Sequence, residues 1–391
     1  MNRIQLLNPG KVVFGAGSLD QFVNDYLKTP HQRLYLVTIP QVADSLDSQL
    51  KQLELAGIRI CINTSIAGEP TFDDFERLVL EAAAFRADSV AGIGGGSVMD
   101  TAKLVAAQLY SGQTVDDVLD NGFTKKRGTF LACIPTTSGT GSEVSPNAIF
   151  VNSKGAKVGV ISPELVPDAA YVDPALTVSV PPSVTAATGI DALAHCMEAY
   201  TNKHAHPVAD LFALEGVKLI GTYLLRAYQN GEDEEARAKV ALGSMYGGMC
   251  LGPVNTAAVH ALAYPLSTDF HISHGLSVAL LLPYVMEFNL DTAPDRYAAV
   301  AVALGSQETG SQKDIARSAV RIIKGLIKKC GLPTSLGEMD IPFAAVEKLA
   351  ANAMQIQRLL KNNPREISLS DAETIYTRAF NAEIQEYEEK I

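Results

Sequence analysis

Missing from this sequence are the markers of several common protein classes. Its five cysteines, Cys61, Cys133, Cys196, Cys250 and Cys330, are scattered and form no CxxC pair. That argues against a disulfide framework and for reduced thiols packed as small hydrophobes, in a cytoplasmic protein. No basic run exceeds Lys125-Lys126-Arg127, and the formal net charge is -11. A nucleic-acid partner, which needs a clustered basic footprint, is excluded on that ground. No apolar stretch approaches the ~20 residues that span a bilayer. The start, Met1-Asn2-Arg3-Ile4-Gln5, lacks the basic-then-apolar layout of a signal peptide. What the chain does have is apolar substance, 47% of 391 residues, enough for two domains with a core in each.

The first half alternates β-type and helical runs. Residues 33–38, 58–62, 89–93 and 129–134 read as strands, and Gln41 to Ala56 as a helix closed by Gly57. Such alternation predicts a parallel sheet with helical crossovers. After Pro181-Pro182 the helical period dominates, as in 209–228 and 234–251, with no comparable strand runs. The expected organisation is therefore an α/β domain over residues 1–180 and an all-α domain over 181–391.

Two glycine-rich turns follow strands in the α/β part. Gly94-Gly95-Gly96-Ser97-Val98-Met99-Asp100 also opens a helix. Glycines there allow close backbone approach, and the free N–H groups and partial positive charge of a helix N-terminus suit a phosphate. Pro135-Thr136-Thr137-Ser138-Gly139-Thr140-Gly141-Ser142-Glu143 is dense in hydroxyl and backbone donors suited to ribose and phosphate oxygens. Together they fit a dinucleotide lying across the C-terminal strand ends, although neither matches GxGxxG.

Only seven histidines occur, and one stands four residues after an aspartate in Gly189-Ile190-Asp191-Ala192-Leu193-Ala194-His195. On a helix that spacing puts both side chains on one face, one turn apart. His260 and His274 come much later; His204 and His206, in a polar turn, read as solvated. Spacing alone does not join the later pair to Asp191. One carboxylate with three neutral imidazoles would nonetheless leave a divalent ion net positive and Lewis acidic, able to lower the pKa of an alcohol oxygen. Imidazole accepts iron, zinc, nickel or copper, so these residues do not single out the ion.

Taken in order, these motifs resemble the iron-containing (group III) alcohol dehydrogenase family over nearly the whole chain. The resemblance begins at Pro9-Gly10-Lys11-Val12-Val13-Phe14-Gly15 and runs through both glycine turns, Val172-Asp173-Pro174 and the segment Ala187 to His195, to the two later histidines. It implies a Rossmann-like dinucleotide-binding domain and a helical domain in the dehydroquinate synthase-like architecture, with the active site in the cleft between them. Asp191, His195, His260 and His274 would be the metal ligands, with iron as the expected ion and zinc or nickel as alternatives. Gly95, Gly96 and Ser97 would contact the pyrophosphate, with Gly94, Asp100 and Thr38 also on the cofactor side. Thr136, Thr137, Thr140 and Ser142 would line its phosphate, ribose and nicotinamide portions. Lys157, in Gly155-Ala156-Lys157-Val158, would sit near the cofactor ribose. A homodimer acting on a small alcohol or aldehyde is the expectation.

Two positions depart from the family pattern. Tyr264 stands where many members carry a second histidine that helps relay the alcohol proton; Tyr264 itself or His271 would take that part. A phenol with an ordinary pKa near 10 is the poorer shuttle at neutral pH. After Val37-Thr38 comes Ile39 rather than an acidic residue, which leaves both NAD and NADP open, with NAD as the expectation. Two rival readings remain at this point. One is a metal- and NAD-dependent lyase of the dehydroquinate synthase-like type; the other is a non-catalytic dinucleotide-binding protein.

Overall fold

A run such as Leu34-Tyr35-Leu36-Val37, apolar at every position, must bury both of its faces. In the computed structural model, which describes residues 3–66, 68–152 and 157–382, it does so inside a three-layer unit. The chain divides into two compact units. The first takes residues up to 180 together with 251–253, and the second takes 181–250 and 254 onward.

The first unit contains β1 (Lys11–Phe14), α1 (Ser18–Tyr26), β2 (Arg33–Val37), α2 (Pro40–Ala43), α3 (Asp47–Leu55), β3 (Arg59–Asn63) and α4 (Phe72–Phe85). It continues with β4 (Ser89–Gly94), α5 (Gly96–Gln108), α6 (Val115–Asn121), β5 (Phe130–Pro135), β6 (Asn147–Val151), β7 (Lys157–Ile161) and β8 (Ala169–Val172). Six strands form one sheet in the order β1-β8-β5-β4-β2-β3, parallel at every pairing. Leu34 and Leu36 pack with Phe22 and Tyr26 of α1 on one face. Tyr35 and Val37 pack with Phe75 of α4 and Val98 and Met99 of α5 on the other. This period-2 alternation between two apolar layers is what a sheet covered on both sides requires. From β2 the chain crosses outward to β3, then returns past it to β4 and on to β5. The ends of β2 and β4 therefore flank a topological switch point, where open α/β sheets bind ligands.

The four strands read from sequence are present within a residue at each end, and four more accompany them. β1 and β8 are four residues long, too short for a clear alternation. β6 and β7 form a separate antiparallel ribbon; Gly155 and Ala156, which precede Lys157, lie outside the described residues. The expected helix over 41–56 is two helices, α2 and α3. Ser45 turns its hydroxyl back to the Val42 carbonyl at 2.7 Å, a local bond that competes with the helical ladder. The Val172-Asp173-Pro174 motif has a structural use. The Asp173 carboxylate accepts from the backbone N–H groups of Gly17 (2.9 Å) and Leu19 (3.2 Å), closing the start of α1.

The second unit is helical: α7 (Pro182–Thr201), α8 (Pro207–Gln229), α9 (Glu234–Leu251), α10 (Ala258–Phe270), α11 (His274–Asn289), α12 (Pro294–Ala303), α13 (Gln312–Lys329), α14 (Val346–Ala353), α15 (Gln357–Leu360) and α16 (Leu369–Asn381). Its core is one continuous apolar cluster running from Ala186 to Ala379. Among the described residues no helix is long and apolar enough to cross a membrane. His206 departs from its expected solvation. It is buried at the start of α8, and its Nδ1 accepts the Val208 N–H at 3.2 Å.

Candidate metal centre and nucleotide turns

α7 is buried on nearly all sides, because alanines and a glycine let its neighbours close in. A Cβ on Gly189 would lie 2.2 Å from Leu224 of α8, and one on Gly247 would lie 3.2 Å from the His195 Cβ. Asp191 and His195 share one face of this helix, as their spacing predicts. His260 is the third residue of α10, and His274 the first of α11. Gly275 lets α11 begin there, since any Cβ would sit 2.4 Å from the Ala187 carbonyl oxygen of α7.

Three imidazoles face one carboxylate oxygen. The Nε2 atoms of His260, His274 and His195 lie 3.3, 3.5 and 3.9 Å from Asp191 Oδ1. The His195 and His260 rings stack at 4.6 Å, and His260 and His274 approach at 5.4 Å. The donor atoms of Asp191, His195 and His260 all fall within 4.8 Å of one another, a spacing that one metal ion can bridge. Asp191 Oδ1 and His260 Nε2 are buried with no hydrogen-bond partner. A buried polar atom left unpaired costs about 1–3 kcal/mol, so native structures keep few without a reason. A carboxylate and neutral imidazoles are donors for a borderline divalent cation, so the residues present fit the ion.

Glu198, which the sequence reading missed, sits one turn beyond His195 on the same helix. Its Oε2 is 2.5 Å from His260 Nδ1 and its Oε1 accepts the Val259 N–H at 2.7 Å. A carboxylate on one ring nitrogen sets the tautomer and points the other at the centre. Burial by itself would lower the pKa of His260, but the Glu198 and Asp191 carboxylates outweigh it and push it up to about 9. Burial would raise the Asp191 carboxyl; the surrounding imidazoles instead hold it well below the usual carboxylate range. A carboxylate seven residues after Asp191 and three after His195 was a sequence signal that could have found Glu198. Tyr264, one turn along α10 from His260, lies with its ring 5.9 Å from that of His274. His271 is the exposed, left-handed C-cap of α10.

In the first unit the two glycine turns meet. Gly94 of β4 is in register with Pro135 of β5, and the Thr136 N–H donates to the Gly94 carbonyl at 2.9 Å. A Cβ on Gly96 would lie 2.5 Å from Thr140, so only glycine lets the turns touch. Gly95 caps α5 without any side-chain hydrogen bond, leaving N–H groups at the helix start, as an anion requires. Gly95, Gly96, Ser97, Thr137 and Thr140 are partly exposed beside it. These features fit the phosphate portion of a dinucleotide.

The remaining cofactor-side residues are buried. The Thr38 hydroxyl donates to the Ile93 carbonyl at 2.7 Å. Asp100 accepts from the Ser142 hydroxyl (2.5 Å) and the Ile149 N–H (2.8 Å). Lys103, also missed from sequence, has a side chain with no exposure at all. Its ammonium donates to the Ser142 carbonyl (2.8 Å), the Ser142 hydroxyl (2.9 Å) and the Asn147 carbonyl (2.5 Å). Asp100, Lys103 and Ser142 thus brace α5 against the second turn from beneath. Lys157 opens β7 and pairs with Glu69.

A parallel sheet with an uncapped helix start and, in the same chain, a helical unit with an imidazole–carboxylate cluster are the two parts expected of a metal-dependent nucleotide oxidoreductase. Comparison with known proteins narrows it. Residues 9–174 match the iron-containing alcohol dehydrogenase model, and residues 185–380 match the C-terminal model of the same family. The chain is 38% identical over 381 residues to long-chain-alcohol dehydrogenase 1 of Geobacillus thermodenitrificans, covering 95% of each. It is 32% identical to the sulfoacetaldehyde reductase of Bilophila wadsworthia, covering 92% of this chain and 94% of that one. The crystal structure of a 1,3-propanediol oxidoreductase superposes with a TM-score of 0.92 at 27% identity, over 97% of this chain and all of the other. The chain belongs to the iron-containing alcohol dehydrogenase family and is an oxidoreductase whose family implies a metal and a nicotinamide-type cofactor. The lyase and binding-only alternatives are not favoured.

Proposed function

We propose that this chain interconverts a small alcohol and its aldehyde by reversible hydride transfer with NAD, and that Asp191, His195, His260 and His274 hold the divalent ion. One observation carries the ligand assignment. Three imidazole nitrogens face the single buried oxygen Asp191 Oδ1, which has no hydrogen-bond partner. Iron is the expected ion, with zinc and nickel as alternatives that the same donors accept. When bound, the ion supplies Lewis acidity toward the substrate oxygen.

The chain's own residues do the rest. Glu198 holds His260 in the tautomer whose Nε2 faces the centre. The start of α5, with Gly95, Gly96 and Ser97, holds the pyrophosphate; Thr137 and Thr140 border it, and Asp100 and Ser142 keep the turn in shape. Tyr264, against His274, carries the alcohol proton in place of the family histidine. No cationic side chain follows β2, where Ile39 stands, which supports NAD over NADP. The similar proteins are named for a long-chain alcohol, sulfoacetaldehyde and 1,3-propanediol; their shared chemistry, a hydroxyl or carbonyl carbon, is what carries over. A cytoplasmic setting is supported by the five free thiols, and a homodimer is the expected assembly.

The test is elemental analysis after loading with iron, zinc or nickel, followed by a panel of alcohols and aldehydes with NAD and NADP. Reduced-nicotinamide absorbance that rises with an alcohol only in the loaded protein is the expected result; no turnover with any ion overturns the reading. His260→Ala should release the ion while far-UV circular dichroism stays unchanged. Metal content equal to that of the parent would overturn the ligand assignment.

A further inference from the structure

Most guanidinium groups of the helical unit are paired. Arg226, Arg296, Arg317, Arg321 and Arg378 each contact a carboxylate, and Arg237 and Arg365 donate to backbone carbonyls. Arg358 differs. Among the described residues no carboxylate lies within 4.0 Å of it, and its one hydrogen bond is from Nη2 to the Tyr264 hydroxyl at 3.3 Å. A guanidinium carries five N–H donors, so most of its capacity faces no protein acceptor. The side chain is half-buried rather than waving in solvent.

Its placement gives that capacity a direction. Tyr264 is one turn from His260 on α10 and lies against the His274 ring, so the phenol stands between the metal centre and Arg358. The short helix bearing Arg358 is held firmly. Leu359 and Leu360 are buried, and the following Asn362 donates to the Thr256 carbonyl at 2.8 Å while accepting the Lys203 N–H at 2.9 Å. Asn363 exchanges amide hydrogen bonds with Asn289 at 2.9 and 2.8 Å. Asp269, the acidic residue at the far end of α10, is already engaged by Lys348 and Asn352. A planar donor fork on an anchored backbone, with unused N–H groups, matches the two oxygens of a carboxylate or sulfonate.

The geometry points to Arg358 as a specificity-determining residue that receives the anionic end of the substrate. The preferred substrate is then a short alcohol or aldehyde bearing a carboxylate or sulfonate at the end remote from the reacting carbon. This rests on the alcohol dehydrogenase reading above and deepens it by naming the substrate class.

The test compares the metal-loaded parent, Arg358→Met and Arg358→Lys with 4-hydroxybutyrate and 2-hydroxyethanesulfonate, each against its neutral counterpart, 1-butanol or ethanol. The parent should favour at least one anion by about tenfold or more in kcat/KM. That anionic-to-neutral ratio should fall by roughly 30-fold or more in Arg358→Met, chiefly through KM, and recover in part in Arg358→Lys. Calorimetric binding of the same four compounds to the loaded protein without nicotinamide gives a readout independent of turnover, and should rank them alike. A preference for the carboxylate over the sulfonate, or the reverse, identifies which anion is taken. An unchanged ratio in Arg358→Met, or a parent that prefers the neutral alcohols, overturns this assignment while leaving the dehydrogenase reading intact. Absence of turnover with these compounds and with the wider alcohol and aldehyde panel overturns that reading instead, and the calorimetric ranking then decides the anion assignment by itself.

Discussion

Each unit of this protein buries a cluster of charged side chains, and the two clusters are opposites in their hydrogen bonding. Beneath the glycine turns, Lys103 donates to Ser142 and Asn147, and Asp100 accepts from Ser142 and Ile149. In the helical unit, Asp191 Oδ1 and His260 Nε2 face each other without a hydrogen bond. A satisfied buried network rigidifies what surrounds it; one that leaves atoms unpaired is costly unless something else completes it. On this reading the first cluster is a structural brace and the second the proposed ligand site, a distinction that residue types alone would not draw.

The sharpest way to break the contrast is to remove a proposed ligand. Asp191→Ala should abolish metal retention by elemental analysis and lower kcat/KM by about 10^3 to 10^4, because the electrophile is lost with it. Lys103→Met tests the other cluster. It removes the ammonium that braces Ser142 and Asn147 and the one cation near buried Asp100, and should destabilise the protein by about 3–5 kcal/mol in urea unfolding. The folded fraction should keep its metal. Loss of metal with intact stability would reverse the two roles.

A smaller effect is expected at Glu198. Glu198→Gln keeps the shape but weakens the hold on the His260 tautomer, and should lower metal affinity by about 10- to 100-fold in a chelator competition. The smallest concerns Glu143, buried beside the brace, whose carboxyl burial raises to about 7 although Lys103 opposes the rise. Between its ordinary range near 4.5 and about 7, the unfolded chain has lost the proton and the folded one still holds it. Folded-state stability contributed by this group is therefore lost as pH climbs through that window, and is level above it. Glu143→Gln should be more stable than the parent by about 1–3 kcal/mol at pH 8 and nearly equal to it near pH 4.5. A stabilisation of the same size at both pH values would show that Glu143 does not hold a proton when folded.

Much of this was legible in the sequence because it is local. β2, β4 and β5 are apolar runs bounded by glycine or proline, and Gly94 to Ser97 announces a strand-to-helix turn by composition. Asp191 and His195 needed only the helical period. Glu198 and Lys103 were passed over for one reason: a lone charged residue in a helix ordinarily faces water, and only packing reveals that these do not. Asp100 and Ser142 looked like ligand contacts because they sit within the glycine motifs, yet their side chains turn inward to each other. Arg358 carried no signal at all, because α15 is a single turn too short for a readable period.

What the linear order determined by itself is the alternation of elements, the two glycine turns and the pair of groups one turn apart on α7, since each depends on backbone preference over a few residues. Only the folded chain decided that His260 and His274, 69 and 83 residues beyond Asp191, face its oxygen. It also decided which buried charges found partners. Both are matters of distance between segments remote in sequence, set by how helices pack, and no local pattern encodes them.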